Sequence, residues 1–149
     1  MTSARLVPAS LALLTLLAAG CGRARARDCA SLDASINAGV ARLEAHETER
    51  RQSNGGGPSA TARDMRKAAT LHRQTLAEIK ALPLSDPEIK TLGGDYVAAL
   101  DSIAGSADAL ATALEQDRRS DALDSDHIYA SMLERQKRVV ERLNSACAR

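Results

Sequence analysis

A stripe of apolar residues between Pro87 and Arg118 constrains the fold more than any other feature of the chain. Its members recur at spacings of three and four, which is the period of one face of an α-helix. The stripe passes Gly93, Gly94 and Gly105 without losing phase, so the segment is predicted as one long helix packed along a bundle seam. The members are Ile89, Leu92, Tyr96, Leu100, Ile103, Ala107, Leu110 and Leu114.

Three other segments show the same helical period, over residues 28–52, 59–82 and 124–147. Residues 53–59 and 119–126 separate them and are predicted as loops. Each helix has a candidate N-cap, a side chain that accepts a hydrogen bond from a free backbone N–H group. The candidates are Asp28, Thr61 with Asp64 as a capping box, Ser85 or Asp86 before Pro87, and Asp124 or Ser125.

The composition also favours helices. Alanine and leucine dominate, whereas Tyr96 and Tyr129 are the only aromatic residues of the chain. Few aromatic residues and many good helix formers argue against a sheet. Four helices joined by short loops pack most simply as an up-down-up-down bundle. The predicted fold is therefore all-α, with a four-helix bundle domain over residues 29–149.

The N-terminal segment has the order of an export signal. Arg5 is followed by an apolar run from Leu6 to Ala19. This run has 14 residues, and a helix needs about 20 to cross a bilayer. Residues 1–20 are therefore predicted as a cleaved signal segment rather than as a transmembrane helix.

The end of the apolar run, residues 16–21, resembles the lipobox of bacterial lipoprotein precursors. Ala18 and Ala19 stand in the small-residue positions, although leucine is commonest at the first of them, and Gly20 precedes Cys21. The resemblance implies diacylglycerol on the Cys21 thiol, cleavage before that residue and acylation of the new amino terminus. Several acyl chains, such as palmitate, anchor a protein stably. A secretory signal with an incidental cysteine is the alternative.

The same resemblance implies a location in the bacterial cell envelope. The lipid on Cys21 would anchor the protein to the membrane on its periplasmic side. Gly22 follows the cysteine in place of aspartate, which implies the outer rather than the inner membrane. Residues 21–28 carry three arginines. They are predicted as a lipidated tether, lying close to anionic head groups or serving as a solvated spacer.

Once Cys21 is assigned to lipid, two cysteines remain, Cys29 and Cys147. An even pair in an oxidising compartment favours a disulfide, and an up-down-up-down bundle brings these two positions to the same end. In the chain-entropy model, closing a loop of about 100 residues contributes about 4.7 kcal/mol. Two free thiols or an intermolecular bond are the alternatives.

The charge balance argues against a nucleic-acid partner. The chain has 20 Lys and Arg against 19 Asp and Glu, and Arg5 is the only charge in residues 1–20. The mature chain would therefore have 19 of each sign, which offers no field to attract a polyanion. The shortage of aromatic residues also argues against haem, sugar and nucleobase sites. No cofactor is expected.

Two polar residues, His72 and Gln136, lie in the middle of apolar helix faces at the same level of the predicted bundle. A buried polar group without a partner costs about 1–3 kcal/mol. We therefore expect a hydrogen-bonded layer of His72, Gln136 and the Tyr96 hydroxyl, with Gly39 leaving room. Such a layer can simply fix the helix register. A small interior ligand site is the alternative.

A second group, His46, Met65 and His127, falls at the end of the bundle away from the cysteine pair. Histidine and methionine are ligands for zinc or copper. These residues come singly from separate helices and not as a paired ligand motif. They are weak candidates, and no metal site is expected.

The chain contains no catalytic motif that we recognise, so no catalytic residue is assigned and enzymatic activity is not expected. The predicted function is a non-catalytic structural or protein-interaction bundle on a lipid anchor, with a protein as the further partner. The alternative function is a periplasmic bundle that binds a metal or a small ligand.

Overall fold

The computed structural model describes residues 10–52 and 57–149, with side chains from Gly22 onward in the first range. These residues form four α-helices and no strand. The prediction of an all-α four-helix bundle is confirmed. The helices are α1 (Ser10–Gln52), α2 (Pro58–Lys80), α3 (Pro87–Glu115) and α4 (Arg119–Cys147).

Consecutive helices run antiparallel, and α3 is the central one. It packs along both α2 and α4, while α1 packs on α2 and meets α3 and α4 only briefly. Arg66 near the start of α2 pairs with Glu115 at the end of α3. Arg142 late in α4 pairs with Asp95 early in α3. Because early positions face late ones, the topology is up-down-up-down.

The core has two parts. The larger part draws on all four helices, and a smaller, alanine-rich part joins α2, α3 and α4. Small side chains let helix axes approach closely, and this explains how a chain without Phe or Trp can bury its centre. The larger part contains Leu32, Ile79, Ile89, Leu92, Tyr96, Leu100, Val139, Leu143 and Ala146, and the smaller contains Ala69, Ala104 and Ala107 with Tyr129 packed against them.

Helix α3 also has the length and apolar composition of a membrane-spanning helix, and no other helix of the described residues does. Its stripe is buried inside the bundle, however, and Ile89 and Ile103 are both 0% exposed. The interior helix of a bundle is apolar on several sides because its neighbours cover them. We therefore describe α3 as the core helix.

The two ends of α3 are set by local hydrogen bonds. Asp86 is the N-cap, as predicted, and its side chain accepts from the backbone N–H groups of Glu88 at 3.0 Å and Ile89 at 3.1 Å. At the other end the N–H of Arg118 bonds to the carbonyl of Ala113 at 2.9 Å. Asp117 has a left-handed φ of 51° there, which aspartate tolerates better than most residues. The helix ends at Glu115, three residues before the predicted Arg118.

The tight turn at Asp117 corrects the prediction for the last helix. Residues 119–126 were expected as a loop, yet α4 begins at Arg119, so neither Asp124 nor Ser125 is its cap. The three residues 116–118 connect the two helices. The Arg118 guanidinium pairs with the Asp121 carboxylate in the first turn of α4. A short local pair of this kind supports a helix start without a side-chain cap.

The start of α2 also differs from its prediction. Thr61 was expected to form a capping box with Asp64, but Gly57 is the N-cap, Pro58 opens the helix and no side chain caps it. Proline suits the first helical position because its missing N–H would have no helical partner there. The helix ends at Lys80, two residues before the expected Leu82.

Helix α1 begins well before the predicted N-cap. Its backbone is helical from Ser10, so Asp28 lies inside the helix. Residues 21–28, which were predicted as a lipidated tether, continue α1, so the helix extends before residue 29. Asp28 could not be recognised as an internal residue because its backbone partners lie on a different element.

Gly39 is the point of closest approach between α1 and α2. A Cβ atom at this position would lie 2.5 Å from the Thr75 hydroxyl oxygen and 2.6 Å from its methyl carbon. Thr75 is buried, and its hydroxyl donates to the Leu71 carbonyl at 3.1 Å. Gly39 therefore makes room for Thr75 and not, as expected, for a layer around His72.

The seam between α1 and α4 is the least closed one of the bundle. The two helices are joined beside Cys29 and Cys147, and they make few other contacts. Val40 on α1 is 42% exposed and Leu133 on α4 is 38% exposed. Val40 lies three turns after Cys29, on the same side of α1 as the cysteine, and Leu133 lies four turns before Cys147, on the same side of α4. The bundle is thus tied at one end of this seam and looser beyond it.

Candidate functional site

The end of the bundle that carries the cysteine pair holds the densest set of polar contacts. Cys29 and Cys147 form a disulfide with their Cα atoms 5.8 Å apart, as predicted. The bond joins the third helical turn after Cys21 to the last residue of α4. This end also holds the turn between α2 and α3, residues 81–86. We call it the disulfide end.

Asp28 fastens α1 to this turn. Its side chain is buried, and Oδ2 accepts from the backbone N–H of Asp86 at 2.7 Å and from the backbone N–H of Ser85. The Arg27 guanidinium donates to Oδ1 at 3.0 Å. The hydrogen bond from Asp86 is the main cause that lowers the Asp28 pKa from 3.8 to about 2, against the opposing effect of burial. The carboxylate is therefore ionised at neutral pH.

Arg25 adds a second link, one helical turn earlier. Its Nε donates to Asp86 at 3.1 Å and its Nη2 donates to Glu88 at 2.8 Å. The other oxygen of Asp86 accepts the N-cap hydrogen bonds from the backbone at the start of α3. The hydrogen bond from the Ile89 N–H is the main cause that lowers the Asp86 pKa, and the hydrogen bond from Arg25 is the next. Arg149 pairs with the other oxygen of Glu88 at 2.5 Å. Residues of α1, of the start of α3 and of the segment after α4 thus share one ion-pair network.

The predicted lipid acceptor comes just before this network. The side chain of Cys21 lies outside the described residues, as do the side chains of the predicted signal segment 1–20. The α1 backbone nevertheless runs through residue 21 without a break. Arg25 follows Cys21 by four residues, which is about one helical turn, or about 6 Å of rise. The folded bundle therefore begins immediately after the position of the predicted lipid.

The interior polar layer is present in part. Gln136 Nε2 donates to the Tyr96 hydroxyl oxygen at 2.8 Å, which joins two of the three expected residues. Tyr96 is 2% exposed, and its pKa is raised by burial. His72 is equally buried, but no hydrogen bond joins it to Gln136 or Tyr96. The Nδ1 atom of His72 is one of two buried polar atoms without a partner among the described side chains; the other is Arg42 Nε.

Burial controls the charge of His72. Desolvation lowers its pKa from 6.5 to about 4, so the imidazole is neutral at neutral pH. A neutral imidazole carries one N–H donor and one nitrogen acceptor. The unpartnered Nδ1 of His72 can therefore donate or accept one hydrogen bond inside the bundle.

The weak metal candidates are not drawn into a ligand set. His46 Nε2 lies 3.2 Å from the carbonyl oxygen of Asp64, next to Met65, and His127 is exposed on α4. Within residues 22–52 and 57–149, no group of three or more His, Cys, Asp or Glu side chains is placed to hold a metal ion. The contact of His46 with Asp64 instead joins the end of α1 to the start of α2.

A groove of about 460 Å³ lies at the opposite end, between the start of α2, the end of α3 and the start of α4. Leu110 and Leu114 line it, and Leu123 at its edge is 64% exposed. The sequence did not reveal this groove because Leu123 fell in a segment expected to be a loop. Charged residues, among them Asp117 and Asp126, also line the groove, so it combines an apolar surface with polar groups.

Comparison of the chain with protein-family models, with curated proteins and with solved structures finds no match.

Proposed function

We propose that the protein is a lipid-anchored component of the bacterial cell envelope, held to the membrane by lipid on Cys21. Its helical bundle would face the periplasm, from the outer rather than the inner membrane, and act as a non-catalytic structural or protein-interaction module. Residues 16–21 support the anchor through their resemblance to a lipobox. The Cys29–Cys147 disulfide supports an oxidising compartment, because such bonds are rare in the cytosol.

The position of Arg25 is the observation that carries the proposal furthest. Arg25 is bound to Asp86 and Glu88 on the start of α3, and it follows the lipid acceptor by about one helical turn. An anchor at Cys21 would therefore hold the bundle by a short helical stem and not by a flexible linker. This geometry suits a protein that presents its far end at a set position relative to the membrane.

The anchor can be tested by mass spectrometry of the full chain expressed in a bacterium that processes lipoproteins. We expect a protein that begins at Cys21, carries the mass of diacylglycerol and acyl chains, and incorporates labelled palmitate. The Cys21→Ser variant should incorporate no label, whereas Cys29→Ser should still do so. Cleavage at another residue, or a wild-type protein without lipid, would contradict the proposal.

Binding of a metal or small ligand is the second candidate function. The unpartnered Nδ1 of buried His72 favours it, since a ligand atom could supply the missing hydrogen bond. Native mass spectrometry and elemental analysis of the purified protein test this directly. A stoichiometric bound mass that is absent from the His72→Leu variant would replace the first proposal. Identical unliganded masses for the two proteins would argue against the ligand site.

A further inference from the structure

The balanced charge of the chain conceals a separation of charge that the fold creates. At the disulfide end two acidic side chains are turned inward. Asp28 is 1% exposed and Asp86 is 8% exposed, and both accept hydrogen bonds from backbone N–H groups. Their negative charge is thereby directed into the bundle and largely compensated there. A sequence count of carboxylates includes both groups, although neither projects from the surface.

The basic side chains at the same end point outward, in contrast to Asp28 and Asp86. They are exposed, and they come from α1, α2, α3 and the chain segment after α4. Glu88 is half-buried and is held by Arg25 on one side and Arg149 on the other, while Asp33 and Glu141 are exposed further along α1 and α4. Exposed basic side chains therefore outnumber exposed acidic ones at this end. The exposed basic residues are Arg23, Arg27, Lys80, Lys90 and Arg149.

The far end shows no such excess. Exposed carboxylates there include Glu49, Glu115, Asp117, Asp124 and Asp126. They alternate with basic residues of α1, α2 and α4, for example in the pair of Arg119 with Asp117 and the pair of Arg66 with Glu115. Charges of both signs at similar density cancel beyond about one Debye length, which is about 8 Å at physiological salt. Only the disulfide end is thus suited to a negatively charged surface.

We propose that the exposed basic residues of the disulfide end bind the anionic phospholipid head groups of the leaflet that holds the lipid anchor. This inference rests on the proposed lipidation of Cys21, which lies about 3 Å of helix rise before Arg23. Acyl chains inserted at Cys21 would bring the five basic side chains to the head-group layer, where anionic lipids attract them. The contacts would orient the bundle upright, with its disulfide end against the membrane.

The native lysines provide the test. The chain has four, of which Lys80 and Lys90 lie at the disulfide end, while Lys67 lies near the middle of α2 and Lys137 lies about two thirds of the way along α4. The lipidated full chain is placed in vesicles of phosphatidylcholine alone, or of phosphatidylcholine mixed with phosphatidylglycerol. An amine-acylating reagent then labels exposed lysines, and the rate at each position is measured by mass spectrometry. Lys67 serves as the internal control in every sample.

We expect labelling of Lys80 and Lys90 to slow several-fold when phosphatidylglycerol is present, while the rate at Lys67 stays unchanged. The protection should disappear at about 1 M salt, where the Debye length falls to about 3 Å. In the Arg23→Glu and Lys90→Glu double variant, Lys80 should lose its protection. In the matched Arg63→Glu and Arg119→Glu variant, which reverses two basic residues at the far end, it should keep it.

Equal labelling of Lys80 in both vesicle types, for a protein whose mass shows the lipid, would overturn the head-group contact and leave the anchor intact. If the mass shows no lipid, the anchor fails separately. The unlipidated chain is then mixed with the same vesicles and labelled in the same way. Binding to phosphatidylglycerol vesicles would still support the basic surface, and no protection would overturn it.

Discussion

The Asp28 carboxylate on α1 accepts a hydrogen bond from the backbone N–H of Asp86 at 2.7 Å, so a residue inside one helix caps the turn that starts another. The same oxygen also holds the N–H of Ser85. Two backbone donors that would otherwise be poorly satisfied in a partly buried turn therefore depend on one side chain.

Replacing Asp28 should weaken this end of the bundle. In Asp28→Ala the two N–H groups lose their acceptor, and we expect the melting temperature to fall by roughly 5 °C. Asp33→Ala is the matched control, because Asp33 is exposed on the same helix and, within the part of the chain that the structure describes, accepts a hydrogen bond from Asn37 alone, four residues later. Thermal unfolding followed by circular dichroism gives both values. Equal melting temperatures for the two variants would show that the cap is dispensable.

Acid should act on the same contact. The pKa of Asp28 is about 2 in the folded protein and 3.8 ordinarily, so the unfolded chain takes up its proton first as pH falls. The stabilisation is complete above the unfolded pKa and is lost as pH falls toward the folded one. We expect part of the decline in stability between about pH 4 and pH 2 to disappear in Asp28→Asn. Urea unfolding across this range measures it, and an unchanged slope would contradict the assignment.

His72 should affect stability at higher pH. Its pKa is about 4 in the folded protein and 6.5 ordinarily, so protonation of the unfolded chain begins first and stability declines as pH falls from 6.5 toward 4. The full difference is about 3 kcal/mol, at about 1.4 kcal/mol per pH unit. His72→Leu should remove this decline and also raise the melting temperature at neutral pH, since an unsatisfied buried nitrogen is lost. His127 is exposed and supplies the control: His127→Leu should not show the gain in melting temperature at neutral pH.

Replacing Gly39 and Gly105 by alanine should change the stability of the bundle in opposite directions. Gly39→Ala should destabilise the bundle, because the added carbon would lie 2.5 Å from the Thr75 hydroxyl oxygen. Gly105→Ala, where nothing lies within 4 Å of the added carbon, should stabilise α3 by up to about 1 kcal/mol. Adding Thr75→Ala to the first variant should recover part of the loss. Chemical denaturation compares all three, and a stabilising Gly39→Ala would contradict the packing.

The disulfide should contribute more than any single contact of the α1–α4 seam. Its sequence separation is 118 residues, for which the chain-entropy model gives about 5 kcal/mol. The Cys29→Ser and Cys147→Ser double variant should unfold at lower denaturant, and its first α1 turns should exchange amide hydrogen faster. Cys21→Ser should retain the bond. A wild-type band that becomes a dimer on a non-reducing gel would indicate an intermolecular bond instead.

Much of the fold could be predicted from local sequence patterns. The α3 stripe, the Asp86 cap and the cysteine pair all follow from short-range periodicity or from topology, and the structure contains each of them. The role of Asp28 could not be predicted, since its backbone partners lie 57 and 58 residues later. The start of α4 was missed for a different reason. Asp117 adopts a conformation that usually signals glycine, so the turn had no recognisable signal.

Part of the candidate site could also be predicted from the sequence, and part could not. Gln136 and Tyr96 were paired from their positions on opposing apolar faces, and they are hydrogen-bonded. His72 shares their setting but has a buried nitrogen without a partner, which depends on side-chain rotation and not on helix phase. The basic surface of the disulfide end was hidden for a third reason, because net charge counts buried and exposed carboxylates alike.

Because α1 is one unbroken helix, its length would set the distance between the membrane and the far end of the bundle. From Gly22 to Gln52 the helix rises about 45 Å, at about 1.5 Å per residue. With the anchor at the start of this helix, the apolar groove edged by Leu123 would stand about that far above the lipid surface. A partner confined to the same bilayer would not touch it. The helix would instead act as a fixed-length strut that selects binding partners by their height above the membrane.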